Sequence, residues 1–113
     1  MSTDEENETQ HRVLRAIQGV AATETLRVTQ HAQEEMDAEA ITLDEALAAI
    51  RAAQLLEHYP EHRRGACCLL AGQTPTGRAL HVVCTTAQPV LILMTVYEPR
   101  PPKWVTPTQR RSS

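Results

Sequence analysis

Two apolar runs near the C-terminal end, residues 78–85 and 90–97, are joined only by Thr86-Ala87-Gln88-Pro89. So short a connection closes an antiparallel hairpin and leaves no room for the crossover that parallel neighbours need. Both runs are apolar at successive positions, hence on both faces of a strand. A single layer of helices would leave one of those faces wet, so helices or a partner are expected to cover both.

Upstream, residues 55–59 and 66–71 read as two more strands, separated by turn-rich segments containing Pro60, Gly65, Gly72, Pro75 and Gly77. The N-terminal half is helical in its spacing. Val13, Leu14, Ile17, Val20 and Ala21 recur on one face of a helix over residues 8–22. Leu26-Arg27-Val28 is a short extended stretch, after which Thr29 can cap a helix reaching Glu39 with Ala32 and Met36 inward. Thr42-Leu43-Asp44-Glu45 matches a capping box before the apolar stripe Ala46, Leu47, Ile50 and Ala53. The expected fold is α+β, an antiparallel sheet of four or five strands packed by two or three N-terminal helices. Residues 9–105 form its single domain, and residues 1–8 are expected as a disordered acidic tail and 106–113 as a flexible C-terminal tail, with Trp104 folding back on the body.

With 113 residues there is material for one core, and with no Phe that core must be mostly aliphatic. The net charge of −3 hides a division. Residues 1–61 hold 4 Arg against 13 Asp and Glu, net −9, whereas residues 62–113 hold 7 Arg and Lys against Glu98 alone, net +6. A basic sheet half suits a phosphate-bearing partner, and an acidic helical half suits self-association or a basic partner. No apolar run approaches the roughly 18 residues that cross a bilayer, and the acidic start is unlike a signal peptide, so a cytoplasmic location and no membrane partner are expected. Cys67, Cys68 and Cys84 lack any metal-binding spacing and read as buried free thiols.

Several spaced residues carry a resemblance. Thr29-Gln30-His31-Ala32 with Met36 and Ile41, then Tyr59-Pro60, then Gly77-Arg78-Ala79-Leu80-His81-Val82-Val83, then Thr95-Val96-Tyr97-Glu98-Pro99 and Trp104, are similar to the pattern of the domain-of-unknown-function family 4258. That family is regarded as related to the RelE, ParE and MqsR toxins of toxin–antitoxin modules. The resemblance implies a RelE/MqsR-like sheet packed by helices, metal-independent endoribonuclease activity with RNA as substrate, and a cognate antitoxin, often a small zinc-ribbon protein, as partner. Where the family tends to place Arg in the first helix of the pattern, this chain has Glu35 and Glu39, and its usual Gly before Ile41 is Ala40.

Metal-free RNA cleavage needs a base for the 2′-hydroxyl, an acid for the 5′-oxygen and cations where charge gathers. His31, His81 and Tyr97 are the candidate catalytic residues, and Arg63, Arg64 and Arg78 the candidate phosphate clamps. No metal or cofactor is expected, since His58 and His62 straddle Pro60 and lack helical context. A histidine inside an apolar strand is equally a core residue bonded to a backbone carbonyl. Register separates these readings. With a symmetric 86–89 turn, Arg78 faces Tyr97 and His81 faces Met94, placing His81 and Tyr97 on different faces; a one-residue bulge would bring them together. Two further readings stand beside the ribonuclease: a catalytically degenerate binding module on the same fold, and a structural homodimer.

Overall fold

Two threonines start helices where capping chemistry requires. In the computed structural model, which describes residues 3–23, 25–61, 66–85, 90–101 and 104–110, Thr29 Oγ1 accepts the Ala32 N–H at 3.1 Å and opens α2, Gln30–Ala38. Thr42 Oγ1 accepts the Glu45 N–H at 3.1 Å while Glu45 Oε1 accepts the Thr42 N–H at 2.9 Å, the reciprocal box that opens α3, Leu43–Arg51. Between them α2 stops in a left-handed turn. Ile41 N–H returns to the Met36 carbonyl at 2.8 Å and Ala40 N–H to Asp37 at 3.3 Å, with Ala40 itself at φ 54°.

The first helix, α1, spans Thr3–Ala22 and begins five residues before the expected start at residue 8. Thr3-Asp4-Glu5-Glu6 is a sequence that the positive end of a helix dipole favours, a factor that counting apolar residues does not register. Ile17 and Ala21 are buried among α3 and the sheet, so the amphipathic stripe is used as expected.

Strands β1 (Leu26–Val28), β2 (Gln54–Tyr59), β3 (Cys67–Gln73), β4 (Ala79–Thr85) and β5 (Leu91–Tyr97) form one sheet in the order β1-β5-β4-β3-β2. Strands β2 to β5 make the antiparallel meander that short connections dictate. The sheet is nevertheless mixed, because β1 pairs parallel with β5. Two helices separate β1 from β2, so the hairpin argument does not reach β1 and leaves its direction open. The chain beyond Trp104 is also more ordered than a tail: β6, Trp104–Thr106, and β7, Gln109–Arg110, pair antiparallel as a small separate sheet.

Side chains alternate across the main sheet. Cys68, Leu70, Leu80, Val82, Leu93 and Val96 enter the core beneath the helices. Gly72 has no side chain here because α3 lies directly on it, and a Cβ at that position would run into the Ala49 carbonyl. The opposite face carries Cys67, Leu69, Ala71 and His81, all buried, and Trp104 at 3% exposure lies over it. A short hairpin thus supplies the second cover that two-faced apolar strands demand.

Candidate functional site

His81 and Tyr97 sit directly opposite each other on β4 and β5, because the register shifts by one residue between Val83 and Cys84. The bulge is present, so both rings lie on the face away from the helices. Tyr97 Oη is 3.0 Å from His81 Nδ1, and the Pro107 carbonyl is 2.5 Å from His81 Nε2. A carbonyl can only accept, so Nε2 carries the proton and Nδ1 accepts from the Tyr97 hydroxyl. The Trp104 ring meets His81 edge-on at 4.3 Å, and Tyr97 does so at 5.2 Å. His81 is 0% exposed. Such a histidine orients Tyr97 and ties the hairpin to the sheet, but presents no nitrogen to a substrate.

His31 occupies the opposite situation. It stands in the first turn of α2 with 67% of its side chain exposed, its Nε2 3.4 Å from Glu35 Oε1. The same carboxylate oxygen accepts the Val96 N–H at 3.0 Å. His31 and His81 therefore do not share a cleft, since α2 packs along β5 while His81 faces away from the helices.

Arg78 is committed to the fold. Its Nη1 donates to the Ala40 carbonyl at 3.0 Å and its Nη2 to the Glu39 carbonyl, so it satisfies the frayed carbonyls at the end of α2. Glu98 at 3.4 Å and Glu45 at 3.9 Å complete its surroundings. Arg100 joins the same network, 2.5 Å from Glu39 Oε1 and 2.8 Å from Glu98 Oε2. The Glu39 hydrogen bond holds the Arg100 proton more tightly than usual. Arg63 and Arg64, the other expected clamps, lie outside the described residues.

Glu35 and Glu39 have a role that residue type alone does not announce. Glu35 Oε1 accepts the Val96 N–H and Glu39 Oε2 the Glu98 N–H at 3.4 Å, on the side of β5 that β1 leaves uncovered beyond Val28. Four helical residues advance about 6 Å and two strand residues about 6.6 Å, so carboxylates at i and i+4 of an adjacent helix match alternate amides of a strand edge. The clue in the sequence is that spacing, which on its own reads as a solvated helix face.

Cys67, Cys68 and Cys84 are all buried. Cys68 Sγ and Cys84 Sγ are 3.9 Å apart in the core, and the contact with Cys68 together with burial pushes the Cys84 thiol well up. Among the described residues no three His, Cys, Asp or Glu side chains gather as a metal-ligand set, and no helix is long and apolar enough to cross a membrane.

Residues 28–98, more than half of the chain, match the family described as Domain of unknown function (DUF4258). The chain belongs to that family. No curated protein and no solved structure matches it. The DUF4258 segment runs from the end of β1 to just beyond β5 and includes His31, Glu35, Arg78, His81 and Tyr97. Helix α1 and the β6–β7 hairpin, whose Pro107 and Trp104 enclose His81, flank it.

Proposed function

We propose that this DUF4258 chain acts by binding a partner protein, on a toxin-like scaffold whose nucleolytic positions have been turned to structural use. The observation that carries this reading is His81 at 0% exposure, with one ring nitrogen against Tyr97 and the other against Pro107. A general acid or base must come within hydrogen-bond reach of the substrate, and an enclosed ring does not. Arg78 supports the same reading, since its donors go to α2 carbonyls and carboxylates. Carboxylates at positions 35, 39, 45 and 98 also make this end of the molecule a poor seat for a phosphate chain. The purified protein is expected to leave RNA intact in EDTA, its expression to leave growth unchanged, and the product of the adjacent gene to co-purify with it.

One observation favours the second reading, a metal-independent ribonuclease toxin held by an antitoxin. His31 is exposed on a capped helix end and backed by a carboxylate that a backbone amide fixes in place. An accessible histidine with an oriented carboxylate has the arrangement of a general base. RNA cleavage in EDTA that His31→Ala abolishes, in a protein whose melting temperature is unchanged, would decide for the toxin and against the binding module.

A further inference from the structure

We infer that Cys68 and Cys84 are a redox modification site, where a peroxide converts the two thiols into a cross-strand disulfide that clamps β3 to β4 inside the core. The inference stands apart from the protein-binding reading and uses none of its residues.

Register makes the pair. Cys68 and Cys84 are direct partners in the β3–β4 ladder, and both side chains enter the core beneath the helices at 0% exposure. Directly opposed residues of antiparallel strands hold their Cα atoms about 4.5–5.5 Å apart, inside the roughly 4.4–6.8 Å that a disulfide spans. The Sγ atoms are 3.9 Å apart, with one thiol donating to the other. A bond of about 2.05 Å needs the sulfurs to approach by roughly 1.9 Å, which torsion of two short side chains supplies while the Cα spacing already fits.

The third cysteine is an internal control. Cys67 precedes Cys68 in the strand, so it projects to the opposite face, where its partner in the ladder is Thr85. It cannot reach Cys84 through the sheet, and the extended backbone turns it away from Cys68. The fold therefore selects one of the three pairings that the unfolded chain allows. The selected bond closes the chain around the turn at Thr74–Gly77. Cys84 also adjoins the shift in the β4–β5 pairing, so the clamp holds β4 where its second neighbour is irregular.

Hydrogen peroxide is the oxidant that the step needs. A peroxide molecule is little larger than water and enters by the local openings through which buried amides exchange, where a bulky aromatic disulfide does not. Cys84 holds its proton more tightly than an ordinary thiol, because of its contact with Cys68 and its burial, so the first attack falls to Cys68. The Cys68 sulfur attacks one peroxide oxygen, the O–O bond breaks, and hydroxide leaves with the thiol proton as water, giving a sulfenic acid. The Cys84 sulfur then displaces hydroxide from Cys68 Sγ. The S–S bond forms, the S–O bond breaks, and the Cys84 proton leaves in a second water, two electrons having passed from the sulfurs to the peroxide. A resolving thiol already in contact outruns further oxidation to the sulfinic acid.

The test treats the whole folded chain with millimolar hydrogen peroxide and maps its cysteines by mass spectrometry without reductant. The expected product is a monomer lighter by about 2 Da, with Cys68 linked to Cys84 and Cys67 free, restored by dithiothreitol. The same dose in denaturant is expected to give a mixture of pairings that includes Cys67. The bonded protein is expected to melt about 5 °C or more higher, since the bond restrains the unfolded chain. Cys67→Ser is expected to keep the mass loss and Cys84→Ser to lose it; should Cys84→Ser fail to fold, the peptide map of the native chain decides alone. Unchanged mass in native buffer, a link through Cys67, disulfide-linked dimers, or a product heavier by about 32 Da overturns the proposal. So does an identical map in native buffer and denaturant, which would show that the fold selects nothing. A fall in melting temperature on bonding overturns it too, marking the bond as damage and not a clamp.

Discussion

Removing the His81 ring takes away a partner of Tyr97, a partner of Pro107 and the surface that Trp104 packs against. His81→Ala is therefore expected to cost about 2–4 kcal/mol in urea unfolding, from the cavity and the buried polar groups left behind. A catalytic histidine at the rim of a cleft would leave the unfolding midpoint where it was, so the same variant separates packing from chemistry. Ala40 makes the converse case. It holds φ 54° at the end of α2, and a Cβ is unwelcome in that conformation. Ala40→Gly is expected to stabilise the protein by about 0.5–1 kcal/mol, and a lower melting temperature would show that Ala40 packing outweighs its backbone strain. The departure from Arg at positions 35 and 39 was visible in the sequence as lost positive charge. Its other side, two carboxylates spaced to meet alternate amides of β5, needed the helix and the strand to be placed side by side.

Among elements, those governed by local chemistry were legible. The Thr42–Glu45 capping box specifies α3 within the sequence, and the short connections specify the antiparallel order of β2 to β5. What depends on distant residues was not. The direction of β1 follows from where two helices return the chain, and the meeting of His81 with Tyr97 follows from a bulge whose position no residue type signals. The hairpin β6–β7 escaped for a related reason: Trp104 and the Pro107 carbonyl meet His81 of β4, contacts remote in sequence. The α3–β3 contact offers a direct check. Gly72 lets the Ala49 carbonyl approach the strand backbone, so Gly72→Ala is expected to destabilise by about 1–3 kcal/mol as the helix is pushed off the sheet. An unchanged denaturation curve would mean that α3 shifts freely on the sheet.

For the molecule as a whole, burial of Cys67, Cys68 and Cys84 makes thiol chemistry a report on global unfolding. Under mildly alkaline conditions Ellman's reagent is expected to react with the folded protein only as fast as it unfolds, and with three thiols at once in denaturant. The raised Cys84 thiol adds a pH dependence of definite sign. The unfolded chain ionises first, at the ordinary thiol value, so it binds fewer protons than the native state from there upward. Stability from this source is complete below that value and falls as pH climbs past it, which melts recorded across the alkaline range would detect. The division of charge between acidic helices and basic C-terminal half survives in the fold only in part, because Arg78 and Arg100 are drawn into the carboxylates of α2 and α3.

The carboxylates on β5 have one more consequence, for assembly. A sheet open at both ends has two valences and can grow without limit into fibres, as any bifunctional monomer does. With Glu35 and Glu39 seated on the amides of Val96 and Glu98, the stretch of β5 beyond its pairing with β1 gives these outward donors to the chain's own carboxylates and not to a strand of another molecule.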